Sequence, residues 1–165
     1  MASLTRVFRR TLTTLTTVPS NPQLFLHRDL ISLSRQPAAL AVGRLRSGHT
    51  VDELSERTFE PNPAFLPLVH ATLAAHVAQD RFWVSLAVPY PDNYMPIYDL
   101  RAPPVHGRIP DVEDIFGMVR VDGAGAIVPG SYERNTMYRP VSPAGLCQFS
   151  EDMLPLVRRA CEAAK

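Results

Sequence analysis

The apolar positions change their period several times along this chain. From Pro63 to Val77, the residues Phe65, Val69, Leu73 and Val77 recur every fourth position with Leu66 beside them. That spacing predicts a helix with one buried stripe. Asn62 is its candidate N-cap and proline sits near its first turn. Trp83 rejoins the same face if the helix runs on through Arg81-Phe82-Trp83, and Pro89 and Pro91 end it. Further on the period falls to two. Residues 115–121 alternate, Asp122-Gly123-Ala124-Gly125 has the glycines of a hairpin turn, and 126–132 return as a second strand. A third strand over 137–141, the turn Pro143-Ala144-Gly145 and a fourth strand over 146–149 follow. A final helix begins at Ser150 or Asp152, with Met153, Leu154, Leu156, Val157, Ala160 and Cys161 on one side and Arg158, Arg159 and Glu162 on the other. Six prolines make 89–110 an irregular segment with one extended piece at 95–100. Two helices against a small antiparallel sheet of three to five strands give an α+β domain over residues 51–165.

The first fifty residues follow another pattern. Leu4, Val7, Phe8, Leu12, Leu15 and Val18 occupy an arc of about 140° on a helical projection, and Arg6, Arg9 and Arg10 lie opposite. An arginine-bearing amphipathic helix without acids has the character of a mitochondrial transit peptide. The threonines at 11, 13, 14, 16 and 17 interrupt the continuous apolar core that a secretory signal needs. Pro19, Pro22, Pro37, Gly43 and Gly48 extend an irregular leader to residue 50, and a processing point is expected within 19–50. The predicted location is mitochondrial, in the matrix.

Charge sharpens that division. Residues 1–50 carry seven arginines against one acid, a balance of +6, and the remaining 115 carry ten basic and fifteen acidic groups, a balance of −5. A mildly acidic folded part repels phosphate, so nucleic acid is not an expected partner. Of the 165 residues, 45% are hydrophobic and 20% charged, which excludes disordered, collagenous and disulfide-framework classes. No run of 18 apolar residues offers a transmembrane helix.

Candidate chemistry is sparse. Cys147 and Cys161 match no metal spacing and are expected as free, buried thiols, with no metal and no cofactor implied. His70 and His76 point about 120° apart on the first helix, with His76 toward its apolar face. The densest polar group surrounds residues 106–114. His106, Asp111, Glu113 and Asp114 are candidate acid–base residues, and Arg108 and Arg139 are candidate holders of an anionic substrate. The other reading is structural: Asp111 caps a short helical turn entered by Glu113 and Asp114, and an arginine pairs with one carboxylate. Asp99 and Arg101 fit either version. Phosphate-binding glycine loops, the GxSxG nucleophile elbow and HExxH are absent. Tyr90, Tyr94 and Met95, in a proline-rich aromatic loop, are candidates for contact with a protein partner.

The segment Asp99-Leu-Arg101, the run Gly107-Arg-Ile-Pro-Asp-Val-Glu-Asp-Ile-Phe-Gly117, then Ile127-Val-Pro-Gly-Ser-Tyr132, Tyr138-Arg139 and Gly145-Leu146 resemble a group of small uncharacterised fungal proteins sharing a G-R-I-P-D-x-E-D-I-x-G segment. The resemblance spans residues 65–160 and implies one folded domain, with no activity or catalytic residues to transfer. Together these features lead to the expectation of a non-catalytic mitochondrial accessory or assembly protein acting through a protein partner. The alternative is a small accessory enzyme of fungal metabolism that uses the cluster at 106–114. The sequence leaves the oligomeric state open.

Overall fold

Five short strands come first. β1 (Thr16–Val18), β2 (Asn21–His27), β3 (Leu30–Ser32), β4 (Gly43–Leu45) and β5 (Phe59–Pro61) form an antiparallel sheet in sequence order. The structure, a computed structural model, describes residues 15–105 and 108–164. The stretch expected to be an irregular leader therefore supplies four of the five strands. Val18, Leu24, Ile31, Leu33 and Val42 from that stretch lie in the apolar core. The period of two fails to show in β2 because its consecutive Leu24 and Phe25 are both buried, Phe25 beneath the Arg35 guanidinium at 5.3 Å from the ring centroid. Pro19 lies in the turn between β1 and β2, and Pro22 takes an exposed place in β2. Leu4, Val7, Phe8 and Leu12 of the predicted amphipathic helix, with Arg6, Arg9 and Arg10, lie outside the described residues. Its last positions do not continue a helix, since Thr16–Val18 is β1 and Val18 is 1% exposed. Gly43 is needed where it stands: a Cβ there would come within 2.4 Å of the Glu60 carbonyl oxygen and the Phe59 ring.

Three helices cover the interior. In α1 (Phe65–His76) the predicted stripe of Phe65, Val69 and Leu73 is buried, followed by Val77. Asn62 holds the entry, its Oδ1 accepting from the Ala64 amide at 3.0 Å and its Nδ2 donating to the Ala41 carbonyl at 3.0 Å. The helix does not run straight on to Trp83. A tight turn over residues 77–79 breaks it, and Asp80 restarts α2 (Arg81–Ala87) by accepting from the Phe82 and Trp83 amides. The break also turns His76 out to solvent, away from the apolar face expected for it. In α3 (Met153–Ala163), packed on α1, Met153, Val157 and Cys161 are buried as their spacing predicts. Ser150 is its cap, accepting from the Met153 amide at 3.1 Å, and the Ser150 hydroxyl donates to the Asp80 carboxylate, which ties the starts of α2 and α3 together.

A second antiparallel sheet runs in the order β6 (Tyr94–Tyr98), β7 (Ile115–Arg120), β8 (Glu133–Arg134), followed by the hairpin of β9 (Val141–Ser142) and β10 (Gly145–Leu146). Ile97 faces Gly117 while Tyr98 faces Ile115, a bulge that carries Phe116 into the core with Val119, against the strict alternation expected. The predicted return over 126–132 is reduced to one bridge, Val121 to Ile127, because Asp122 Oδ1 collects the Ala124 and Ala126 amides and coils the chain, so β7 pairs instead with Glu133–Arg134. A single apolar cluster spans Val18 to Cys161. The α+β class stands, with sheets of five, three and two strands.

Polar clamps join the two ends of the chain. Gln23 Nε2 donates to the Phe149 carbonyl at 2.8 Å and Gln23 Oε1 accepts from the Phe149 amide at 2.9 Å, as a neighbouring strand would. Asn21 Nδ2 reaches the Cys147 carbonyl at 3.0 Å, Arg158 Nε donates to the Leu33 carbonyl at 2.7 Å, and the Leu40 amide donates to the Cys161 carbonyl at 2.9 Å.

Candidate functional site

The connection from β6 to β7 begins and ends on a buried ionic cluster. Asp99 follows β6 directly, and its carboxylate is fully enclosed. Oδ1 accepts from the Arg101 amide at 2.9 Å and the Gln148 amide at 2.8 Å, and Oδ2 accepts from the Tyr138 hydroxyl at 2.7 Å. Arg101 is equally enclosed, with 2% of its side chain exposed. Its Nε and Nη2 both donate to Asp114 Oδ1, at 2.8 and 2.6 Å, and its remaining donors reach the carbonyls of Gly145, Glu113 and Arg139. Its guanidinium also stacks over the Tyr138 ring at 5.5 Å. Two carboxylates thus share one guanidinium out of water. Burial raises the Asp99 pKa to about 6, outweighing Arg101 and the three donors that favour its anion. Burial likewise holds the Tyr138 hydroxyl and the Cys147 thiol well above their usual ranges, with the Asp99 charge adding to both shifts.

Both Asp99 oxygens and Asp114 Oδ1 accept hydrogen bonds from groups inside the fold. Asp114, a candidate acid–base residue, belongs to it and also accepts from Ser142 Oγ at 3.3 Å. Glu113 lies apart from it and half-buried, with its carboxylate 3.5 Å from Arg139 Nε. Arg139 itself is exposed and held mainly by Glu56, at 2.9 Å to both carboxylate oxygens. Asp111 is exposed and starts the short helical turn 112–114 through its carbonyl, without a side-chain cap. Arg108 is exposed, and His106 lies outside the described residues. The described candidates therefore do not converge on one cavity. The pairing expected for Arg108 or Arg139 with the carboxylates is divided: Arg139 takes Glu113, and the buried Arg101 takes Asp114.

Two shallow hollows mark the described surface. One of about 240 Å³ lies over Gly43, Arg44 and Glu60, and one of about 190 Å³ lies beside Phe59 and Arg139. Both fall below the roughly 300–1,000 Å³ usual for small-molecule sites. Among the described residues, no three His, Cys, Asp or Glu side chains come together to hold a metal ion. Cys147 and Cys161 are free and buried. His27, within the expected leader, is buried too, with Nε2 at 2.9 Å from the Ser34 carbonyl and no partner for Nδ1 among the described residues.

The partner-contact candidates separate. Met95 points inward and is 2% exposed, so it belongs to the core and offers nothing to a partner. Period two explains this: Met95 and Ile97 share the inner face of β6, and Tyr94 shares the outer one. Tyr94 is 51% exposed and Tyr90 half-buried. Phe82, Val84 and Val88 are also exposed in the same stretch of chain, Val88 at 69%. Sequence reading missed these three because it ran one helix through residue 83 and attended only to the buried stripe. The signal was present, since Val84 and Val88 are four apart and face away from Trp83 and Ala87. A second group of exposed apolar residues, Val105, Ile109, Val112 and Met137, lies on and beside the connection closed by Arg101 and Asp114.

In comparisons with known proteins, no family model, no curated protein and no solved structure matches the chain.

Proposed function

We propose that the protein is a non-catalytic mitochondrial accessory or assembly factor that binds a protein partner, with the outer side of α2 and the turn after it as contact surface. The observation that carries this reading is the set of exposed apolar residues Phe82, Val84, Val88 and Tyr94 on a stretch held firmly from behind. Asp80 caps α2, the Arg81 guanidinium grips Asp152 at 2.5 and 2.8 Å, and Trp83 packs edge-on against Tyr98 at 4.9 Å. Apolar side chains displayed on an anchored frame lose little freedom on binding, which favours an interface. The pairing of Asp114 Oδ1 with the buried Arg101 guanidinium supports the same reading. The basic, acid-free opening of the chain supports mitochondrial import.

The experiment is proximity labelling in cells with a C-terminal tag, comparing the intact chain, a chain lacking residues 1–14, and the double variant Val84→Asp/Val88→Asp. We expect one dominant mitochondrial neighbour for the intact chain. Its labelling should fall several-fold in the double variant, while the purified variant keeps its Tm within about 2 °C. The chain lacking 1–14 should label cytosolic proteins. An unchanged neighbour profile from the folded double variant would reject the surface, and mitochondrial labelling without residues 1–14 would reject the import signal.

A further inference from the structure

We propose that a second copy of this chain docks on the outer side of α2 and β6, in a reversible two-fold pair. The proposal rests on the reading above that this face is a contact surface, and it names an occupant for it.

The face is continuous across three segments. Trp83 of α2 packs on Tyr98, which shares the outer side of β6 with Tyr94, so helix and strand present one surface. Val84 and Val88 lie four residues apart on the exposed side of the helix. Val88 also meets the turn 122–125, where a Cβ on Gly125 would stand 3.4 Å from the Val88 Cα. The same turn holds the loop before β6. The Asp92 amide donates to the Asp122 carbonyl at 3.2 Å, and a Cβ on Gly123 would come within 3.0 Å of Asp92 Oδ2. Tyr94 stands opposite Arg120 of β7, and residues opposed across two strands share a face. Val84, Val88, Asp92, Tyr94 and Arg120 therefore bound one exposed region.

Its charges select the occupant. The region carries one exposed anion, Asp92, and one exposed cation, Arg120, with Tyr94 close to both. Neither joins an ion pair among the described residues. A uniformly acidic or basic partner meets no complementary field here, because the two signs offset each other. A second copy does. A two-fold axis that sets Asp92 of one molecule against Arg120 of the other repeats the same contact in reverse, and the valines and Tyr94 close together between them. Asp92 is held at a φ of 54° with its amide on Asp122, so its carboxylate is positioned before the copies meet. Three partly exposed apolar side chains fall short of the roughly 800 Å² per partner of a standard interface, which places the pair in the weak, reversible class.

The test is sedimentation velocity of the purified full chain over a range of about 1–200 μM, which brackets a weak pair. The expected result is a monomer that shifts toward dimer with rising concentration, less so at high salt. Asp92→Arg and Arg120→Asp should each weaken pairing about tenfold or more, since symmetry puts two like-charge contacts in every pair. An equal mixture of these two variants restores opposite charges at both contacts and should pair as the native chain does. Val84→Asp/Val88→Asp should pair no longer. Should Asp92→Arg disturb its turn, Arg120→Asp against Arg120→Lys decides alone, the lysine variant pairing and the aspartate variant not. A native chain that stays monomeric throughout, charge reversals without effect, or pairing that survives Val84→Asp/Val88→Asp would each overturn the proposal. A monomeric chain whose cellular neighbour is still lost in the double valine variant leaves the contact-surface reading standing.

Discussion

Replacing Arg101 by methionine tests the buried cluster directly. The substitution keeps most of the aliphatic volume and deletes the guanidinium that lies between Asp99 and Asp114 and satisfies three backbone carbonyls. Asp99 is fully enclosed and only 9% of the Asp114 side chain is exposed, so water replaces the guanidinium poorly. Breaking a buried ion pair by removing one partner costs about 3–5 kcal/mol, because the remaining charge stays buried and uncompensated. For a chain of this size that corresponds to a Tm lower by roughly 6–20 °C. It is also a large part of a total stability of about 5–15 kcal/mol. Trp83 is the only tryptophan, it is buried against Tyr98, and its fluorescence reports the transition in urea without a label. The double variant Arg101→Met/Asp114→Asn should recover part of the loss, since it removes the stranded charge with its partner. The exposed Arg139→Ala serves as the control and should leave the midpoint unmoved. A loss below about 1 kcal/mol for Arg101→Met, or no recovery in the double variant, would refute the account of a charge-compensating guanidinium.

Three further outcomes follow from the same structure. Asp99 is raised from 3.8 to about 6 in the folded chain, so the native state holds its proton more tightly than the unfolded one. Its contribution to stability is full below the unfolded value and is lost as pH rises through about 6. Urea titrations between pH 4 and 7 should therefore show stability falling with pH more steeply in the native protein than in Asp99→Asn, and parallel slopes would count against a raised value. At Gly117 a Cβ would stand 2.3 Å from the Glu133 carbonyl oxygen and 2.8 Å from the Tyr132 ring, so Gly117→Ala should cost about 1–3 kcal/mol in urea unfolding. An unchanged midpoint there would mean that β7 and β8 part without penalty. Burial holds the Cys161 thiol up at about 11 and the Cys147 thiol well above its usual range. A thiol-reactive dye should therefore leave both unlabelled in the native protein and label both in denaturant, whereas fast native labelling of either would disprove its enclosure.

How much of this the residues announce depends on the period they keep. The stripe of Phe65, Val69, Leu73 and Val77 and the α3 side bearing Met153, Val157 and Cys161 are legible because helical spacing survives over three turns. The first four strands are not legible. Three of them span only three residues, too few to display alternation, and Leu24 and Phe25 are buried side by side. Their basic composition reads as a leader because the arginines look outward. Arg44 pairs with Glu60 across the neighbouring strand at 3.0 Å, and Arg28 turns the β2–β3 hairpin with a φ of 62°. At the candidate site, the sequence showed three carboxylates within four residues but not that the chain buries one of them and exposes another. That division arises from distance: Arg101 stands 13 residues before Asp114 and Ser142 stands 28 after it, and only the folded chain brings them to its carboxylate.

The clamps between the chain ends also set an order on folding. Gln23 finds its partner 126 residues later, and Ser34 meets Glu162 after 128. During synthesis at about 5–20 residues per second, the first sheet is therefore made long before the backbone that secures it exists. Contacts this distant along the chain place folding on the slow, millisecond-to-second side for domains of this size. Until α3 has emerged, the first sheet lacks the helix that bonds to Leu33 and Leu40, and its incomplete core is open to chaperones. A chain that cannot close until its last residues are available also stays threadable while it is being made.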